Sequence, residues 1–453
     1  MARGRKKENL TPEELLQAAL VPESEQPYKI PENWCWVKFG QIIDLISGRD
    51  AKSTDCNSLG IGIPYILGAS NLENNVFTIE RWIEQPQVIS LKNDILLSVK
   101  GTIGKVYLQK EEKINISRQI MSIRTGPTLF PQFTYWLVSN LSDSFREAGN
   151  GLIPGISRED ILQKEVPLPP ASEQQRIVDR IESLFARLDE AKQKVQDALD
   201  SFETRKAAIL HKAFTGELTA RWRKEHGVGI ESWKEKTSTQ LFEYVTSGSR
   251  GWAKYYSQDG DPFIRMGNLD HGTIELDLTD IQYVSLPSKA EGQRTKLQKN
   301  DILISITADI GMIGLVRQVE KDSYINQHIA LARPAGDNNA EFIAWYLVSD
   351  VGLQQLQNKQ RGATKIGLAL DDIRSLKLLM PIPCEQTEIV RILDDLLAKE
   401  QQAKEAAEKV LEQIDLIKKS ILARAFRGEL GTNDPSEESA VELLRQVLST
   451  SDR

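Results

Sequence analysis

The chain has 453 residues, of which 40% are hydrophobic and 27% charged, and this composition is typical of a globular protein with two to four domains. No apolar run approaches the length of a membrane span, and the opening MARGRKKENLTPEELL lacks a signal-peptide core, so we expect a cytoplasmic protein. The net charge of −7 does not by itself indicate a nucleic-acid partner. Three scattered cysteines and four scattered histidines predict neither a disulfide framework nor a metal site.

The first part of the chain is read as an extension, residues 1–27, followed by a mixed α/β insert, residues 28–170. The extension has a basic start and then a short helix capped by Thr11. The insert contains short β-rich runs such as IPYILG and NDILLSVKG, bounded by Gly, Asn and Asp, and then the helical run PQFTYWLVSNL. Its charge is balanced, with 15 Lys and Arg against 15 Asp and Glu.

A long helix is predicted next, within residues 171–220, and it recurs within 384–430 at a constant offset of 212 residues, as from Glu173 to Glu385. Ser172 and Gln175 have the spacing of a capping box, and Gly216 and Gly428 are expected to end the two helices. Apolar residues alternate at spacings of four and three, which predicts a coiled-coil seam between the copies. The seam is predicted to contain Ile177, Ile181, Leu184, Leu188, Val195, Phe202, Ile389, Leu393, Leu396, Val410, Ile414, Ile417 and Ile421.

A second insert, residues 221–383, repeats the plan of the first. NDILISITADIG matches NDILLSVKGTIG, and EFIAWYLVS matches QFTYWLVS. The offset grows from 198 residues at Pro64 to 212 at Asp160, so the second insert has gained a net 14 residues in its loops. Residues 431–453 form an acidic tail outside the repeat, either a partner contact or a dispensable segment. Matched framework and unmatched loops indicate one scaffold that carries two different surfaces.

Catalytic motifs are missing from the sequence. There is no GxxxxGK[ST] phosphate loop, no GxGxxG, no HExxH and no NPP[FY] tetrad, and the GTIGK run at Gly101 lacks the spacing to hold a triphosphate. We therefore expect no intrinsic catalysis, no catalytic residue and no metal ligand in this chain.

The order insert, long helix, insert, long helix resembles the specificity subunit of type I restriction-modification systems over residues 28–430. The runs PLPPASEQQRIV…AFTGEL and PIPCEQTEIV…AFRGEL are similar to that family's spacer regions, and NDILLS and NDILIS to its target-recognition domains. The resemblance implies an α+β fold in which two recognition domains alternate with two helices paired as an antiparallel coiled coil.

The resemblance also implies a function and partners. Each recognition domain would read one half of an asymmetric bipartite site in double-stranded DNA, and the helices would set the spacing and dock two modification subunits. S-adenosylmethionine, ATP and Mg are expected on the modification and motor-nuclease (restriction) subunits, with adenine methylation after base flipping. Residues in loops that follow framework strands are the candidates for DNA contact. They are Arg49, Lys52, Ser53, Lys100, Lys105, Arg118 and Gln119 in the first insert, and Arg250, Lys254, Tyr255, Arg265, Asn268, Asn326, Gln327, Lys359, Arg361, Thr364 and Lys365 in the second.

Other interpretations stay open at this point. Each candidate is about as readily explained as ordinary solvated surface, and Trp136 and Trp345 are better explained as core than as base-stacking groups. A coiled-coil scaffold that holds two protein-binding modules without nucleic acid is the alternative function. A self-sufficient methyltransferase or nuclease is disfavoured by the missing motifs.

Overall fold

The computed structural model describes residues 11–149, 151, 154–248, 250–287, 293–361 and 367–450. The chain divides into two compact units, residues 1–194 with 410–453, and residues 195–409. The first half contains α1 (Pro12–Ala19), β1 (Cys35–Lys38), β2 (Ile43–Ser47), β3 (Cys56–Asn57), β4 (Ile63–Ile66), β5 (Trp82–Ile83), β6 (Ile89–Leu91), β7 (Ile95–Ser98), β8 (Val106–Leu108), β9 (Lys113–Ile116), β10 (Ile120–Thr125), α2 (Pro131–Asn140), α3 (Ser142–Ala148), α4 (Arg158–Leu162), β11 (Glu165–Leu168), α5 (Ala171–Asp200) and α6 (Phe202–Phe214).

The remaining elements follow the same plan. They are α7 (Ala220–Glu225), β12 (Lys234–Thr237), α8 (Ser238–Leu241), β13 (Phe242–Ser247), β14 (Tyr256–Ser257), β15 (Asp261–Ile264), β16 (Gln282–Val284), β17 (Ile302–Ser305), β18 (Ile313–Leu315), β19 (Tyr324–Ile325), β20 (Ile329–Pro334), α9 (Ala340–Val348), α10 (Asp350–Asn358), α11 (Leu370–Arg374), β21 (Lys377–Met380), α12 (Pro383–Ala425) and α13 (Ala440–Thr450).

The two units contain equivalent sheets. In the first unit a four-stranded sheet has the order β2-β10-β7-β8, and in the second the matching order is β13-β20-β17-β18. Each unit adds a second sheet with one parallel pair, β4 with β9 and β15 with β19, and a two-stranded ribbon, β1 with β11 and β12 with β21. The central strands β7 and β17 are buried along their whole length. The predicted α+β fold with two mixed domains is thus confirmed.

The repeated NDIL motif serves the framework in both units. Asn93 and Asn300 have φ of 73° and 71°, a left-handed conformation that asparagine tolerates at the turn before the strand. The following residue, Asp94 or Asp301, is buried and accepts two hydrogen bonds at 2.7–2.9 Å from the guanidinium of Arg124 or Arg333 on the last sheet strand. Burial raises the pKa of the Asp301 carboxyl, and the paired guanidinium of Arg333 opposes this rise.

The long helices run antiparallel inside each unit. In the first unit Lys192 pairs with Asp415 at 3.0 Å, and Asp189, earlier in α5, pairs with Lys418, later in α12. In the second unit Arg205 of α6 pairs with Glu400 of α12 at 2.9 Å. The first copy of the helix is interrupted, contrary to the prediction of one continuous helix. It breaks at Ser201, whose hydroxyl donates to the carbonyl of Ala198 and competes with the helical pattern.

The predicted seam residues are placed unevenly. Ile177, Ile181, Phe202, Ile389, Leu393 and Ile414 are buried, and Leu184, Leu188, Val195, Leu396 and Ile421 are half-buried. Val410 and Ile417 are 39% and 46% exposed, so their assignment to the seam is a correction. Lys418 takes the inward position instead, with its ammonium 5.0 Å from the ring centroid of Phe185.

The ends of the helices and the residues outside the repeat agree with expectation only in part. Ser172 lies in the first turn of α5 and donates to Glu437 at 2.7 Å, so the predicted capping box with Gln175 does not form. Gly216 and Gly428 follow the two helix ends with φ of 84° and 74°, as predicted for helix stops. The residues after α12 are part of the first unit, because Ala440 and Leu444 are buried in its core.

Candidate nucleic-acid interface

Loops distant in sequence meet at one end of the four-stranded sheet in the first unit. After β2 the backbone passes very close to the turn that precedes β10. A Cβ on Gly48 would lie 2.1 Å from the carbonyl oxygen of Ser117. The amide of Val99 donates to the carbonyl of Gln119 at 2.8 Å, and Lys100 forms an isolated bridge with Gly155. The ends of β2 and β7 and the start of β10 therefore form one cluster of loops, which we call the first loop cluster (residues 47–55, 99–105, 117–119 and 154–158).

Cationic side chains project from the first loop cluster. Arg118 is 65% exposed and is held by Asp50, Nε to carboxylate 2.7 Å. Arg158 donates to the hydroxyl of Ser47 at 2.9 Å. The amide of Ala51 donates to the hydroxyl of the buried Tyr65, whose pKa is raised mainly by burial, so the loop after β2 is anchored to the second sheet. An anchored loop presents its arginines in defined positions, as base or phosphate recognition requires.

The second unit builds an equivalent cluster with different side chains. A Cβ on Gly248 would lie 1.9 Å from the carbonyl oxygen of Asn326, and the amide of Ile306 donates to the carbonyl of His328 at 3.0 Å. Thr307, which aligns with Lys100, bridges Gly367 just as Lys100 bridges Gly155. The second loop cluster consists of the described residues 247–248, 250, 306–312, 326–328, 361 and 367–368.

A polar network occupies the second loop cluster where the first has an ion pair. Nδ1 of His328 lies 2.6 Å from the hydroxyl of Thr307, and Nε2 lies 3.0 Å from the amide nitrogen of Gln327. The side chain of Asn326 accepts from the amide of His328 at 3.1 Å. Arg361, which bridges Gly367, also pairs with Asp372 at 2.6 Å while its side chain stays 72% exposed.

The predicted DNA-contact residues divide by exposure. Those exposed are Arg49, Lys52, Ser53, Arg118, Gln119, Arg250, Lys254 and Arg361, and those half-buried are Lys100, Lys105, Tyr255, Arg265, Asn326, Gln327 and Lys359. Thr364 and Lys365 lie outside the described residues. Lys254 covers the ring of Tyr255 at 4.9 Å, and Lys359 donates to the hydroxyl of Ser375.

One candidate is corrected by the structure. Asn268 is only 3% exposed, and its side chain accepts from the amide of Arg265 and donates to the carbonyls of Asp277 and Asp280. These bonds hold the turn after β15 and leave nothing for a base edge. Asn71 makes the corresponding bonds in the first unit, to the amides of Leu67 and Gly68 and the carbonyl of Thr78.

Two residues of the loop clusters, Arg158 and His328, were absent from the sequence prediction. Arg158 begins a short helix that its sequence, SREDIL, marks as a capped helix start rather than as a loop. His328 is one of the four scattered histidines, and its alignment with Gln119 in the repeat is the signal that could have found it. Among the described residues no group of three or more His, Cys, Asp and Glu side chains could hold a metal ion.

Comparison with known proteins decides the family. A model of the type I restriction modification DNA specificity domain matches residues 31–200 and again 230–413. The chain belongs to the type I restriction modification DNA specificity family. Members similar to it include the EcoBI specificity subunit of Escherichia coli, 24% identical over 88% of this chain and 87% of that protein. The EcoKI specificity subunit of Escherichia coli strain K12 is 25% identical over 89% and 90%.

Solved structures show the same fold for this specificity-family chain. It is similar to a chain from a study of complex assembly and conformational transition of the type I R-M system, with a TM-score of 0.68 and 19% identity over 89% of this chain and 100% of that one. The HsdS subunit from Thermoanaerobacter tengcongensis gives a TM-score of 0.60 at 19% identity, over 90% and 100%. Two specificity domains in one chain favour DNA sequence specificity over the scaffold alternative. No helix in the described ranges is both long and apolar enough to cross a bilayer.

Proposed function

We propose that this chain is the DNA-reading subunit of a type I restriction-modification complex, and that its two loop clusters read different halves of a bipartite site. One observation carries the proposal: the same loop cluster is built at the same end of the same sheet in both units, with different side chains at the aligned positions. The first presents Arg118 and Lys100, whereas the second presents Gln327 and Thr307 at the aligned positions. Arginine suits guanine edges and glutamine suits adenine, so the half-sites would differ.

We propose that the paired helices set the distance between half-sites and bind the modification subunits. Val410, Leu416 and Ile417 are exposed apolar residues on α12, which supports a partner contact along this helix. The modification subunits would bring S-adenosylmethionine and methylate adenine, and the restriction subunits would bring ATP and Mg. The chain itself would then contribute recognition alone, in the cytoplasm, where the DNA is.

Reconstitution with the modification subunits, followed by mapping of methylated adenines in genomic DNA, tests this function. The expected result is one asymmetric motif with two specified halves and an unspecified spacer of fixed length. If methylation required no bipartite motif, the chain would be a scaffold and the proposal would fail. For a loop-cluster variant such as Arg118→Ala, Lys92→Ala is the matched control. Lys92 is also an exposed cation of the first unit, but it lies at the opposite end of β7 from the loop cluster.

A further inference from the structure

Each unit contains one fully buried carboxylate where a spacer helix begins. Glu385, near the start of α12, is 0% exposed and accepts hydrogen bonds from Trp233 Nε1 (3.0 Å), Thr219 Oγ1 (2.7 Å) and Arg223 Nη1 (2.6 Å). The donors all come from the link that connects α6 to β12. This joint ties the start of the second recognition domain to the helix that follows it.

The first unit builds the same joint with residues that follow the C-terminal end of the repeat. Glu173 of α5 is also 0% exposed and accepts from Trp34 Nε1 at 2.7 Å, as Glu385 does from Trp233. Its other donors are Asn433 Nδ2 at 2.8 Å and Thr432 Oγ1 at 3.1 Å. Both residues belong to the segment that follows α12, which we call the distal segment (residues 431–450).

Further contacts connect the distal segment to both sides of this joint. Arg176 of α5 donates to both carboxylate oxygens of Glu437, at 2.7 and 2.8 Å, and to the carbonyl of Thr432. Just before β1, Asn33 donates to the carbonyl of Asp434 at 3.0 Å and accepts from Asn433 at 2.7 Å. The distal segment therefore bridges the helix start and the first strand of the recognition domain.

Breaking this joint is energetically unfavourable. A buried carboxylate that loses its donors keeps an unpaired charge away from water, and this costs more than the hydrogen bonds themselves contribute. Within the described ranges Glu173 accepts from three neutral side-chain donors, and two of them come from the distal segment. Packing adds to this, because Ala440 and Leu444 are buried in the first core and α13 packs on α1.

We propose that the distal segment positions the first recognition domain on its spacer helix. By fixing where the first half-site is bound, it makes the complex selective for the number of base pairs between the half-sites. This inference rests on the proposed function. Residues 431–450 lie outside the repeat and are neither a DNA-reading surface nor a dispensable tail. They perform for the first domain the task that the continuous link 215–233 performs for the second.

The test compares spacer selectivity in the reconstituted methyltransferase complex. Thr432→Val with Asn433→Leu removes two donors to Glu173 at nearly constant volume, and Thr219→Val is the matched change at Glu385. On DNA with the native spacer or one base pair more or less, the double variant should lose about tenfold in its preference for the native spacer, equal to ~1.4 kcal/mol. Discrimination against changes in the second half-site should stay as in the unmodified chain.

A second variant covers a failure to fold. Arg176→Gln removes the pair with Glu437 and the hydrogen bond to the carbonyl of Thr432, on a side chain that is 39% exposed, and leaves the donors to Glu173 in place. It should shift spacer preference in the same direction by a smaller factor. If folded variants keep the spacer preference of the unmodified chain, the positioning role is wrong. If the unmodified complex itself methylates no bipartite site, the proposed function has failed instead.

Discussion

The two recognition domains share one framework. Its buried polar pairs are the same in both domains, whereas the side chains of the loop clusters differ. Asp94 with Arg124 and Asp301 with Arg333 repeat the same ion pair, and Gln174 and Gln386 repeat the same bonds to a backbone amide and a preceding proline carbonyl. The loop clusters share backbone contacts but not side chains. After a duplication, a buried polar group cannot change without its partner, whereas an exposed tip can change freely, so recognition diverges while the scaffold stays.

The repeated ion pair offers the largest effect. Asp301→Ala would leave Arg333, whose side chain is only 18% exposed, without a counter-charge, and should destabilise the second unit by about 3–5 kcal/mol. Asp94→Ala should cost less, about 1–3 kcal/mol, because Arg124 is 35% exposed and water can reach it. Hydrogen–deuterium exchange of peptides from each unit measures both. Equal losses would mean that the two frameworks are energetically alike.

The buried carboxylates at the two joints should also respond differently. Glu385→Gln removes the carboxylate paired with Arg223, whose side chain is 10% exposed, and should cost about 3 kcal/mol. Glu173→Gln keeps a hydrogen-bonding group among neutral donors and should cost about 1–2 kcal/mol. Urea denaturation followed by exchange in each unit tests this order. A larger loss for Glu173→Gln would show that Arg223 does not distinguish the joints.

Single changes in the loop clusters should separate the half-sites. Arg118→Ala should weaken discrimination at one position of the first half-site by about 1–3 kcal/mol and leave the second unchanged, and Gln327→Ala should do the reverse. Methylation rates on DNA with single-base changes in each half provide the measurement. Loss at both halves from either variant would contradict independent reading by the two clusters.

The smallest effect tests the placement of the helix seam. Ile417→Gln should change the free energy of unfolding by no more than about 0.5 kcal/mol, because Ile417 is 46% exposed. Ile414→Ala, three residues earlier at a 4% exposed site, should cost about 2–5 kcal/mol. Thermal unfolding of both variants gives the contrast. If methylation falls for Ile417→Gln while stability holds, the exposed face of α12 binds a partner.

The architecture could be predicted from the sequence alone. The internal repeat is clear in the helices and strands, because their buried apolar residues recur at regular spacing. The ungapped Glu173-to-Glu385 helix copies, the NDIL strands and the matched Trp136 and Trp345 predicted two α/β domains and two paired helices. Trp345 is a core residue and Trp136 packs on Phe185, in agreement with that reading. The local pattern also predicts which loops would carry recognition, since these drift in length while the strands do not.

Only the tertiary structure decided which residues meet. Hydrogen bonds between distant segments leave no periodic trace in a sequence. The sequence therefore places Asn268 among the DNA contacts although its amide group is bonded within the turn, and it does not indicate Arg158 beside Ser47. The inward place of Lys418 rather than Ile417 depends on Phe185 and Asp189 across the helix pair. The contacts of residues 431–450 with Glu173 likewise cannot be predicted from the sequence. A buried carboxylate takes its hydrogen-bond donors from whichever segment lies next to it in space.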